Sequence, residues 1–390
     1  MASALDDITI LDLSRVIAGP FGTSLLGDMG ARIIKVELPG RGDDGRYGFP
    51  TVEGVPVAVK SLNRKKRGIS LDVRKPAGAD VRRGLGEHVD VVVENFSAGT
   101  MDRWGLGYAE LARIQPGLIY AALSGFGQTG PYAERTSYDI IAQAMGGLMG
   151  ITGFADGPPI RGGGSLGDFI GGSFLAVALL GAIHHRARTG EGQMVDVSNM
   201  DAIFAMLDNW PTVYATTGRQ PPRLGNQHAF VTPYDCFAAR DGHLVIGIGN
   251  SRLFRELMAA IGHEGLGRDP RFKSPQARLE RHAEVNRIVA EWVAERTVAE
   301  VLEVLGPSGA NVPCAPVMTV EALVEDPHIA AREMLVDLPD PVLGKIPVTG
   351  VPFKMSRSPG KVRRLGPDLG EHNDEVYRGM LGLSERERGR

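Results

Sequence analysis

The chain has 390 residues, 43% of them hydrophobic and 23% charged, with a formal net charge of −3. This composition is that of a soluble globular protein, and the length predicts two domains because single cores stop growing near about 250–300 residues. The weakly acidic charge argues against a chain-wide nucleic-acid or membrane surface, and two cysteines, Cys236 and Cys314, are too few for a disulfide framework.

The N-terminal segment carries no basic stretch followed by an apolar one, so no signal peptide is expected. The longest apolar stretch, Phe174 to Ile183, is well short of the roughly 20 residues that span a bilayer. We therefore expect a cytoplasmic protein with no membrane or nucleic-acid partner. The two thiols are not paired as CxxC and the histidines are not spaced as metal ligands, so no metal is expected either.

Short β-like runs alternate with helical runs in the first third of the chain. The predicted strands are Ile8–Asp12, Arg32–Glu37, Arg67–Val73, Val89–Glu94 and Leu118–Leu123, and the predicted helices are Pro20–Met29 and Pro76–His88. This alternation predicts an α/β fold with a parallel sheet, whose ligands bind beyond the carboxyl ends of the strands. Ligand contacts are therefore expected in the loops Ser14–Gly19, Asn95–Arg103 and Ser124–Gly127.

The second part of the chain is patterned differently. After a Gly-rich stretch, the predicted elements are an apolar helix at Phe169–Arg188, a strand at Met194–Val197, a helix at Asp201–Thr216 and a hairpin formed by Tyr234–Ala238 and His243–Gly247. A polar, Pro-rich linker at 217–224 predicts a domain boundary. We expect a large domain of residues 1–216 plus 335–390 and a smaller α+β domain of residues 225–334.

The loop Arg15–Gly22 joins the first strand to a helix N-terminus, where free N–H groups and the helix dipole can hold an anion. Glu37 ends the second strand, where a ribose-binding acid would lie in a dinucleotide site. The glycine spacing does not match G-x-G-x-x-G. The sequence favours two interpretations of this region about equally. The loop is either a structural turn, with Glu37 solvated, or a ligand-binding site.

Four adjacent cations follow Asn63, namely Arg64, Lys65, Lys66 and Arg67. Such a run usually forms a solvated surface, and the alternative is a site for a compact polyanion, since Lys and Arg bind phosphate. Asn95, Phe96 and Arg103 follow the fourth strand, where they could contact a ligand or serve as a cap and as core.

Asp168 lies between glycines immediately before the apolar helix, in Ser165-Leu-Gly-Asp-Phe-Ile-Gly-Gly172. An Asp at a helix start is most often an N-cap, which stabilises a helix by about 1 kcal/mol. The flanking glycines leave room for a bulky group, and a helix N-terminus lowers the pKa of a carboxylate. Asp168 is therefore also a candidate nucleophile, expected to be ionised.

In these residues the sequence resembles the class III CoA-transferase family, which includes formyl-CoA transferase and carnitine CoA-transferase. The resemblance covers nearly the whole chain. It is carried by Leu11–Pro20, Gly30–Glu37, Asn63–Asp72, Glu94–Phe96, Met101–Arg103, Gly130–Tyr132, Tyr138–Ile140, Leu166–Asp168, Thr189–Ser198 and Gly370–Val376.

The resemblance implies a large Rossmann-like domain, a smaller domain, and an interlocked homodimer with active sites between the chains. It implies that Asp168 is the nucleophile. It also implies CoA contacts at Val16, Ile17, Ala18, Asn63, Arg64, Lys65, Lys66, Asn95, Phe96, Ser97, Arg103, Arg135, Thr136, Ser137 and Tyr138, with Tyr138 and Asp139 beside the substrate.

The implied reaction moves CoA from an acyl-CoA, with succinyl-CoA as one candidate donor, to a free carboxylic acid. Asp168 would pass through a mixed anhydride and an aspartyl-CoA thioester, and CoA would be a substrate, with no further cofactor. Glycines beside Asp168 would offer backbone N–H groups to an oxyanion.

The main alternative is α-methylacyl-CoA racemase, which shares the fold and needs a second acid or base opposite the aspartate. In the racemases this is a His followed by Asp, whereas this chain has Tyr138-Asp139. A Tyr with a pKa of about 10 is a poor base near neutrality, which favours a transferase.

The formyl-CoA subgroup has an Arg and a glycine-rich loop at positions where this chain has Leu38 and Gly225–His228. These differences argue against formate and oxalate as substrates. A further alternative is a non-catalytic CoA- or nucleotide-binding protein. Such a protein would not need Asp168, so the presence of Asp168 in Leu-Gly-Asp argues against it.

Overall fold

The structure is a computed structural model that describes residues 3–75 and 88–383. Apart from His88, the predicted helix Pro76–His88 lies outside the described residues. The chain divides into two compact units, one formed by Met1–Met149, Arg161–Arg219 and Pro327–Arg390 and the other by Gly150–Ile160 and Gln220–Asp326. Whether these units are independently folding domains with the boundaries given above stays a prediction.

The strands, in chain order, are β1 (Thr9–Asp12), β2 (Arg32–Glu37), β3 (Arg67–Ser70), β4 (Val91–Glu94), β5 (Ile119–Ser124), β6 (Met194–Ser198), β7 (Tyr234–Ala238), β8 (His243–Gly247), β9 (Cys314–Pro316), β10 (Leu335–Asp340) and β11 (Gly344–Thr349). The α-helices are Ala18–Asp28, Gly45–Gly48, Val57–Leu62, Thr100–Arg103, Tyr108–Ile114, Asp139–Met145, Leu148–Ile151, Leu166–Thr189, Asn199–Ala205, Trp210–Thr217, Ser251–Ala260, Glu264–Arg268, Pro275–Leu279, His282–Ala294, Val298–Leu305, Val320–Val324 and Pro327–Ala331. A 3₁₀ turn covers Pro270–Phe272 and a π-helical turn covers Glu375–Met380.

The first unit contains a six-stranded parallel sheet in the order β3-β2-β1-β4-β5-β6. Successive strand residues point to opposite faces, so Ile10 of β1 packs in one core and Leu11 in the other. Both faces are buried, which explains why these strands are continuous apolar runs. The predicted α/β fold with a parallel sheet is confirmed.

The reversal of strand order lies between β1 and β4, both of which start near the middle of the sheet. In doubly wound sheets of this order, the loops after those two strands diverge and leave a crevice. The loops at Arg15 and Asn95 follow these two strands. The topology therefore places them at the expected ligand-binding edge.

The helix Leu166–Thr189, which we call the Asp168 helix, packs on the sheet together with Ala18–Asp28. The two backbones meet at glycines, since a Cβ on Gly172 would lie 2.4 Å from the Ala18 carbonyl oxygen and one on Gly22 would lie 2.7 Å from the Gly172 oxygen. The Asp168 helix is also apolar and long enough, at 24 residues, to cross a membrane. That is weak evidence for a membrane span, because the helix buries Leu175 and Leu179 in the sheet core.

Several helix boundaries differ from the sequence prediction, and two of these differences bear on the site. The Asp168 helix begins at Leu166 with Ser165 as N-cap, so Asp168 lies inside the first turn and is not the capping residue. The predicted helix Asp201–Thr216 is two helices, Asn199–Ala205 and Trp210–Thr217, separated where Asp208 has a positive φ of 56°. A non-glycine residue in that region does not continue a helix, which explains the break.

The second unit has a three-stranded antiparallel sheet in the order β7-β8-β9. The hairpin β7-β8 has the predicted bounds and pairs Tyr234 with Gly247. Its core includes Leu244 and Ile246 of β8 and the apolar sides of Ser251–Ala260 and Val298–Leu305. These two helices are amphipathic and turn their apolar sides to that core.

The glycine contact beneath the Asp168 helix predicts a position-dependent effect of adding a methyl group. Gly172→Ala should lower the thermal midpoint, since overpacking against backbone costs about 1–3 kcal/mol. Gly181→Ala is the control on the same helix, because its Cβ would meet open space, and alanine is the better helix former by about 0.5–1 kcal/mol. Differential scanning calorimetry should find the midpoint lowered for Gly172→Ala and unchanged or raised for Gly181→Ala. Equal midpoints would contradict the packing.

Candidate functional site

A cleft of about 490 Å³ lies at the carboxyl edge of the parallel sheet. Its walls come from the loops after β1, β4 and β5, a segment at 136–138, the Asp168 helix and the start of helix Asn199–Ala205. The lining residues are Arg15, Val16, Ile17, Ala18, Asp44, Asn95, Phe96, Ser97, Leu123, Ser124, Gly125, Thr136, Ser137, Tyr138, Asp168 and Asn199. The three loops chosen from the sequence thus surround one cavity that contains the Asp168 carboxylate.

The loop after β1 is held in an unusual backbone conformation. Val16 has a φ of 68°, which is a strained value for a β-branched residue. Its backbone N–H donates to both carboxylate oxygens of Asp43, at 3.0 and 3.2 Å. Buried Lys35 donates to the same carboxylate at 3.0 Å and to the Ser14 carbonyl oxygen. The Lys35–Asp43 pair therefore fixes the loop that presents Val16, Ile17 and Ala18 to the cleft.

Burial would raise the pKa of Asp43, but the attraction of Lys35 and hydrogen bonds from backbone N–H groups lower it. The Lys35 pKa is raised because the neighbouring carboxylates outweigh the effect of burial. Both side chains are therefore charged near neutrality. A charged pair inside the protein holds its geometry only while both members are present.

Asn95 and Phe96 close the other side of the cleft. The Asn95 side chain accepts a hydrogen bond from the Arg15 N–H at 2.7 Å and donates one to the Arg15 carbonyl oxygen at 2.8 Å. The Arg15 guanidinium lies 4.9 Å from the centre of the Phe96 ring and pairs with Asp44 at 3.2 Å. Asn95 thus joins the loop after β4 to the loop after β1, in addition to lining the cavity.

Asp168 points its carboxylate into the cleft from the first turn of its helix. Oδ1 accepts a hydrogen bond from the Asn199 side-chain amide at 3.0 Å. Burial and the negative charge of Asp139 raise the pKa of Asp168 to about 6, while the Asn199 hydrogen bond acts to lower it. The expectation of a lowered pKa is therefore wrong, because desolvation and a like charge outweigh the helix N-terminus.

Asp139 is buried and holds the start of the Asp168 helix. Its Oδ1 accepts the Gly167 N–H at 2.8 Å and the Asp168 N–H at 3.4 Å. Its Oδ2 accepts a hydrogen bond from Gln143 at 2.8 Å and lies 3.6 Å from the Arg161 guanidinium. Asp139 therefore acts as the side-chain cap that the sequence assigned to Asp168, and it occupies the N–H groups expected to serve an oxyanion.

The run Asn63–Lys66 does not form the exposed phosphate site considered from the sequence. Lys66 is fully buried and donates to Asp12 at 2.7 Å and to Thr23 at 2.8 Å. Arg64 is buried against Asp28, with its closest contact at 2.6 Å. Lys66 and Lys35 hold the pKa of Asp12 at about 2 against the effect of burial. Lys66 and Arg64 instead neutralise two buried carboxylates, Asp12 at the end of β1 and Asp28 at the end of helix Ala18–Asp28.

The two other members of that run are also engaged. Asn63 is 3% exposed and donates its side-chain amide to the Val59 carbonyl oxygen at 3.3 Å. The Lys65 ammonium, half-buried, donates to the Gly27 carbonyl oxygen. A direct CoA contact at these positions stays a prediction that the geometry does not favour.

The remaining predicted residues differ in their distance from the cleft. Thr136, Ser137 and Tyr138 line it, and Tyr138 is 79% exposed. Arg103 is exposed and donates to the Thr100 hydroxyl at 2.8 Å, while the Arg135 guanidinium lies 4.3 Å from the centre of the Tyr132 ring. Neither arginine lines the cavity.

Glu37 does not have the free carboxylate of a ribose-binding acid. It accepts hydrogen bonds from Arg46 at 2.6 and 2.7 Å and from the Asp43 N–H at 2.8 Å. A smaller cavity of about 210 Å³ lies beside it and shares Arg15, Asp44 and Phe96 with the cleft. The other residues lining it include Leu38, Arg41, Leu71, Arg74 and Trp104.

Sequence reasoning missed Asn199, Asp43 and Lys35. Asn199 directly follows β6, so its position at the carboxyl edge of a strand was an available signal. Lys35 is enclosed in an apolar strand, and a charge in such a place usually has a buried partner. Within residues 3–75 and 88–383, no group of three or more His, Cys, Asp or Glu side chains is arranged to hold a metal ion.

Comparison with known proteins gives consistent matches. Residues 5–373 match the CoA-transferase family III. Over 383 residues the chain is 40% identical to succinyl-CoA–D-citramalate CoA-transferase of Chloroflexus aurantiacus, covering 98% of this chain and 95% of the relative. It is 40% identical over 352 residues to acetyl-CoA:oxalate CoA-transferase of Acetobacter aceti, covering 90% and 89%. The crystal structure of a CAIB/BAIF family protein from Brucella suis superposes with a TM-score of 0.86 at 35% identity, covering 97% of this chain and all of that one.

Replacement of Lys66 distinguishes a structural role from a role in ligand binding. Lys66→Met should lower the free energy of unfolding by about 3–5 kcal/mol, since it removes the ion-pair partner of buried Asp12. The control is Arg113→Met, which removes the exposed pair with Glu110 and should cost less than about 1 kcal/mol. Urea titration followed by circular dichroism measures both changes. A fully stable Lys66→Met protein with weakened CoA binding would show instead that Lys66 serves the ligand.

Proposed function

Because the chain belongs to CoA-transferase family III and is therefore a CoA-transferase, we propose that Asp168 is its covalent nucleophile and that the cleft holds the acyl-CoA thioester. The observation that carries this proposal is the position of the Asp168 carboxylate. It faces a cavity whose other walls are the loops after β1, β4 and β5, where parallel sheets bind ligands.

CoA is proposed to enter along the carboxyl edge of the sheet. Its thioester end would lie in the cleft beside Asp168, in contact with Val16, Ile17 and Ala18. Its nucleotide end would occupy the adjoining cavity, because the Phe96 and Trp104 rings line it and could stack on a base. Arg41 and Arg74 also line that cavity, and each would bind phosphate only by leaving its carboxylate partner, Asp44 or Asp72.

The other contacts proposed for CoA follow from exposure. Asn95, Phe96, Ser97, Thr136, Ser137 and Tyr138 line the cleft and are proposed as direct contacts. Arg103 and Arg135 are exposed outside it, and each could reach a phosphate only by leaving its present partner. Arg64 and Lys66 are not proposed as contacts because both are buried in ion pairs, with Asp28 and Asp12, and neither lines the cleft.

The proposed chemistry begins with the Asp168 carboxylate attacking the thioester carbonyl. A carbon–oxygen bond forms, the carbon–sulfur bond breaks, and CoA leaves as a thiolate with the bonding electron pair. The bound thiolate then attacks the Asp168 carbonyl carbon and releases the donor acid, which leaves an aspartyl-CoA thioester. The acceptor acid repeats these two steps in reverse and regenerates the Asp168 carboxylate.

The raised pKa of Asp168 suits this role. Nucleophilicity rises with basicity, and a pKa of about 6 leaves the group mostly ionised at neutral pH while making it more basic than an exposed carboxylate. The environment also limits hydrolysis, since the anhydride and the thioester both react with water. Burial therefore serves both the reactivity and the protection of the intermediates.

Racemisation is not favoured. It needs a second acid or base facing Asp168, and Tyr138 with its 79% exposed ring takes the position of the His found in the racemases. The two relatives compared above are named as CoA-transferases, and neither name refers to racemisation. Their acids, citramalate and oxalate, both carry two carboxylates, so we propose a dicarboxylic acid as acceptor, with succinyl-CoA tested first as donor.

An interlocked homodimer in the cytoplasm is also part of this proposal. The first unit exposes apolar side chains on and beside the Asp168 helix, including Val177 (64%), Phe204 (54%) and Met206 (59%). A second copy of the chain would bury such a surface, as the family resemblance implies.

The covalent step is tested by incubating the enzyme with succinyl-CoA and no acceptor, adding hydroxylamine, and measuring intact-protein mass. The expected product is a hydroxamate on Asp168 of the wild type and none on Asp168→Ala. Asp201→Asn, an exposed carboxylate on the neighbouring helix, is the control and should label as the wild type does. Labelling that persists in Asp168→Ala would assign the nucleophile to another residue, and no adduct with succinyl-CoA, acetyl-CoA or oxalyl-CoA would refute the covalent mechanism.

The pH dependence of kcat/KM should report the ionisation of Asp168. Since the carboxylate must be ionised to attack, kcat/KM should fall about tenfold per pH unit below about 6. Asp139→Asn keeps an oxygen to cap Gly167 but removes the like charge, so the pKa of Asp168 falls and the acid limb should move to lower pH. Steady-state rates at constant ionic strength measure the limb. An acid limb at the same pH in Asp139→Asn would show that Asp139 does not set it.

A further inference from the structure

Asn199 makes the side-chain hydrogen bond to the carboxylate of the proposed nucleophile. It is the first residue of helix Asn199–Ala205, is 7% exposed, and donates from Nδ2 to Asp168 Oδ1 at 3.0 Å. The Ser198 hydroxyl accepts the Asp201 N–H at 3.1 Å and caps that helix. The Asn199 side chain is therefore not needed as the cap and is directed to Asp168.

The amide oxygen of Asn199, Oδ1, is buried without a hydrogen-bond partner among the described residues. It packs on Gly171, where a Cβ would lie only 2.0 Å from Asn199 Oδ1. Buried polar atoms in folded proteins nearly always have a hydrogen-bond partner, so the unpaired Asn199 Oδ1 requires an explanation. The remaining polar atom of that side chain is the donor to Asp168.

The hydrogen bond makes the two oxygens of Asp168 inequivalent. Oδ1 is held by Asn199, which leaves Oδ2 as the oxygen available to attack the thioester carbonyl. In the resulting anhydride, Oδ2 bridges the two acyl groups and Oδ1 is the carbonyl oxygen of Asp168. Asn199 Nδ2 is then in hydrogen-bonding position to that carbonyl.

Charge develops on Oδ1 in the middle of the proposed cycle. When the CoA thiolate attacks Cγ of Asp168, a carbon–sulfur bond forms and the carbonyl electron pair moves onto Oδ1. Collapse of this intermediate breaks the bond from Cγ to Oδ2 and releases the donor acid. The same oxyanion forms when the acceptor carboxylate attacks the aspartyl-CoA thioester and expels CoA thiolate.

The backbone N–H groups at the start of the Asp168 helix do not provide this stabilisation. The N–H groups of Gly167 and Asp168 are both bound to Asp139. Asn199 Nδ2 is a donor already placed on Oδ1 before the reaction, so it needs no reorganisation when the charge appears.

We propose that Asn199 is a catalytic residue whose amide stabilises the oxyanion on Asp168 Oδ1 during formation and breakdown of the aspartyl-CoA thioester. The inference rests on the proposed function of Asp168. It assigns Asn199 to the two central steps and not to the first attack, in which the oxyanion forms on the substrate carbonyl.

The test compares wild type with Asn199→Leu, which keeps the number of side-chain heavy atoms and their branching but removes both polar atoms. Loss of one oxyanion donor should lower kcat about 10²-fold, with KM for the acyl-CoA nearly unchanged. After rapid quenching with succinyl-CoA and no acceptor, intact-protein mass should show mainly the CoA thioester on wild-type Asp168 and mainly the acyl anhydride on Asn199→Leu. Asp201→Asn is the control for substitution on the same helix.

A double-mutant cycle with Gly171 separates catalysis from folding. Gly171→Ala should displace the Asn199 side chain and lower kcat in the wild type, but should have little further effect in Asn199→Ala, where space is available. Thermal midpoints identify any variant that is not folded. An equal loss from Gly171→Ala in both backgrounds would show that Gly171 does not act through Asn199.

The outcomes keep the two proposals apart. No covalent adduct on wild-type Asp168 would refute the proposed function itself. A normal wild-type adduct with an unchanged kcat and unchanged intermediates in Asn199→Leu would overturn the assignment of Asn199 and leave Asp168 as nucleophile.

Discussion

The close approach of two helix backbones is the constraint on which the site depends. Gly22 and Gly172 let the helices Ala18–Asp28 and Leu166–Thr189 touch without intervening side chains. The first of these helices begins in the loop that lines the cleft, and the second carries Asp168 in its first turn. Any side chain at the contact would separate these two elements, so the distance from the loop to Asp168 is set by the absence of Cβ atoms.

Buried ion pairs hold irregular backbone in place at the carboxyl edge of the sheet. Val16 adopts a positive φ that its own side chain disfavours, and Asp43 with Lys35 holds it there. Asp12 and Lys66 form a neighbouring pair beneath the same loop. Replacing such pairs with apolar residues is often neutral for stability, which suggests that their value here lies in the specific geometry of the loop.

The sequence was sufficient for the sheet and for the loops that surround the cleft. β2 and the hairpin β7-β8 have the predicted bounds, because apolar β-branched runs and an Asp-Gly turn are local signals. The burial of Arg64 and Lys66 could not be predicted, since a run of cations is usually exposed and their carboxylate partners, Asp28 and Asp12, are distant in the sequence. The contact of Asn199 with Asp168 could not be predicted for the same reason, since it joins residues 31 positions apart, although the position of Asn199 after β6 was an available signal.

The pKa of Asp168 shows how these parts combine. The helix N-terminus alone would lower it, but Asp139 takes the N–H groups of the first turn and adds a negative charge nearby. Burial acts in the same direction, and the Asn199 amide opposes it. A carboxylate in this balance is mostly ionised at neutral pH and more basic than an exposed one, which suits the attack on a thioester that we propose for it. Because Asn199 binds one oxygen only, the same contact that lowers the basicity of the carboxylate leaves the other oxygen for the proposed attack.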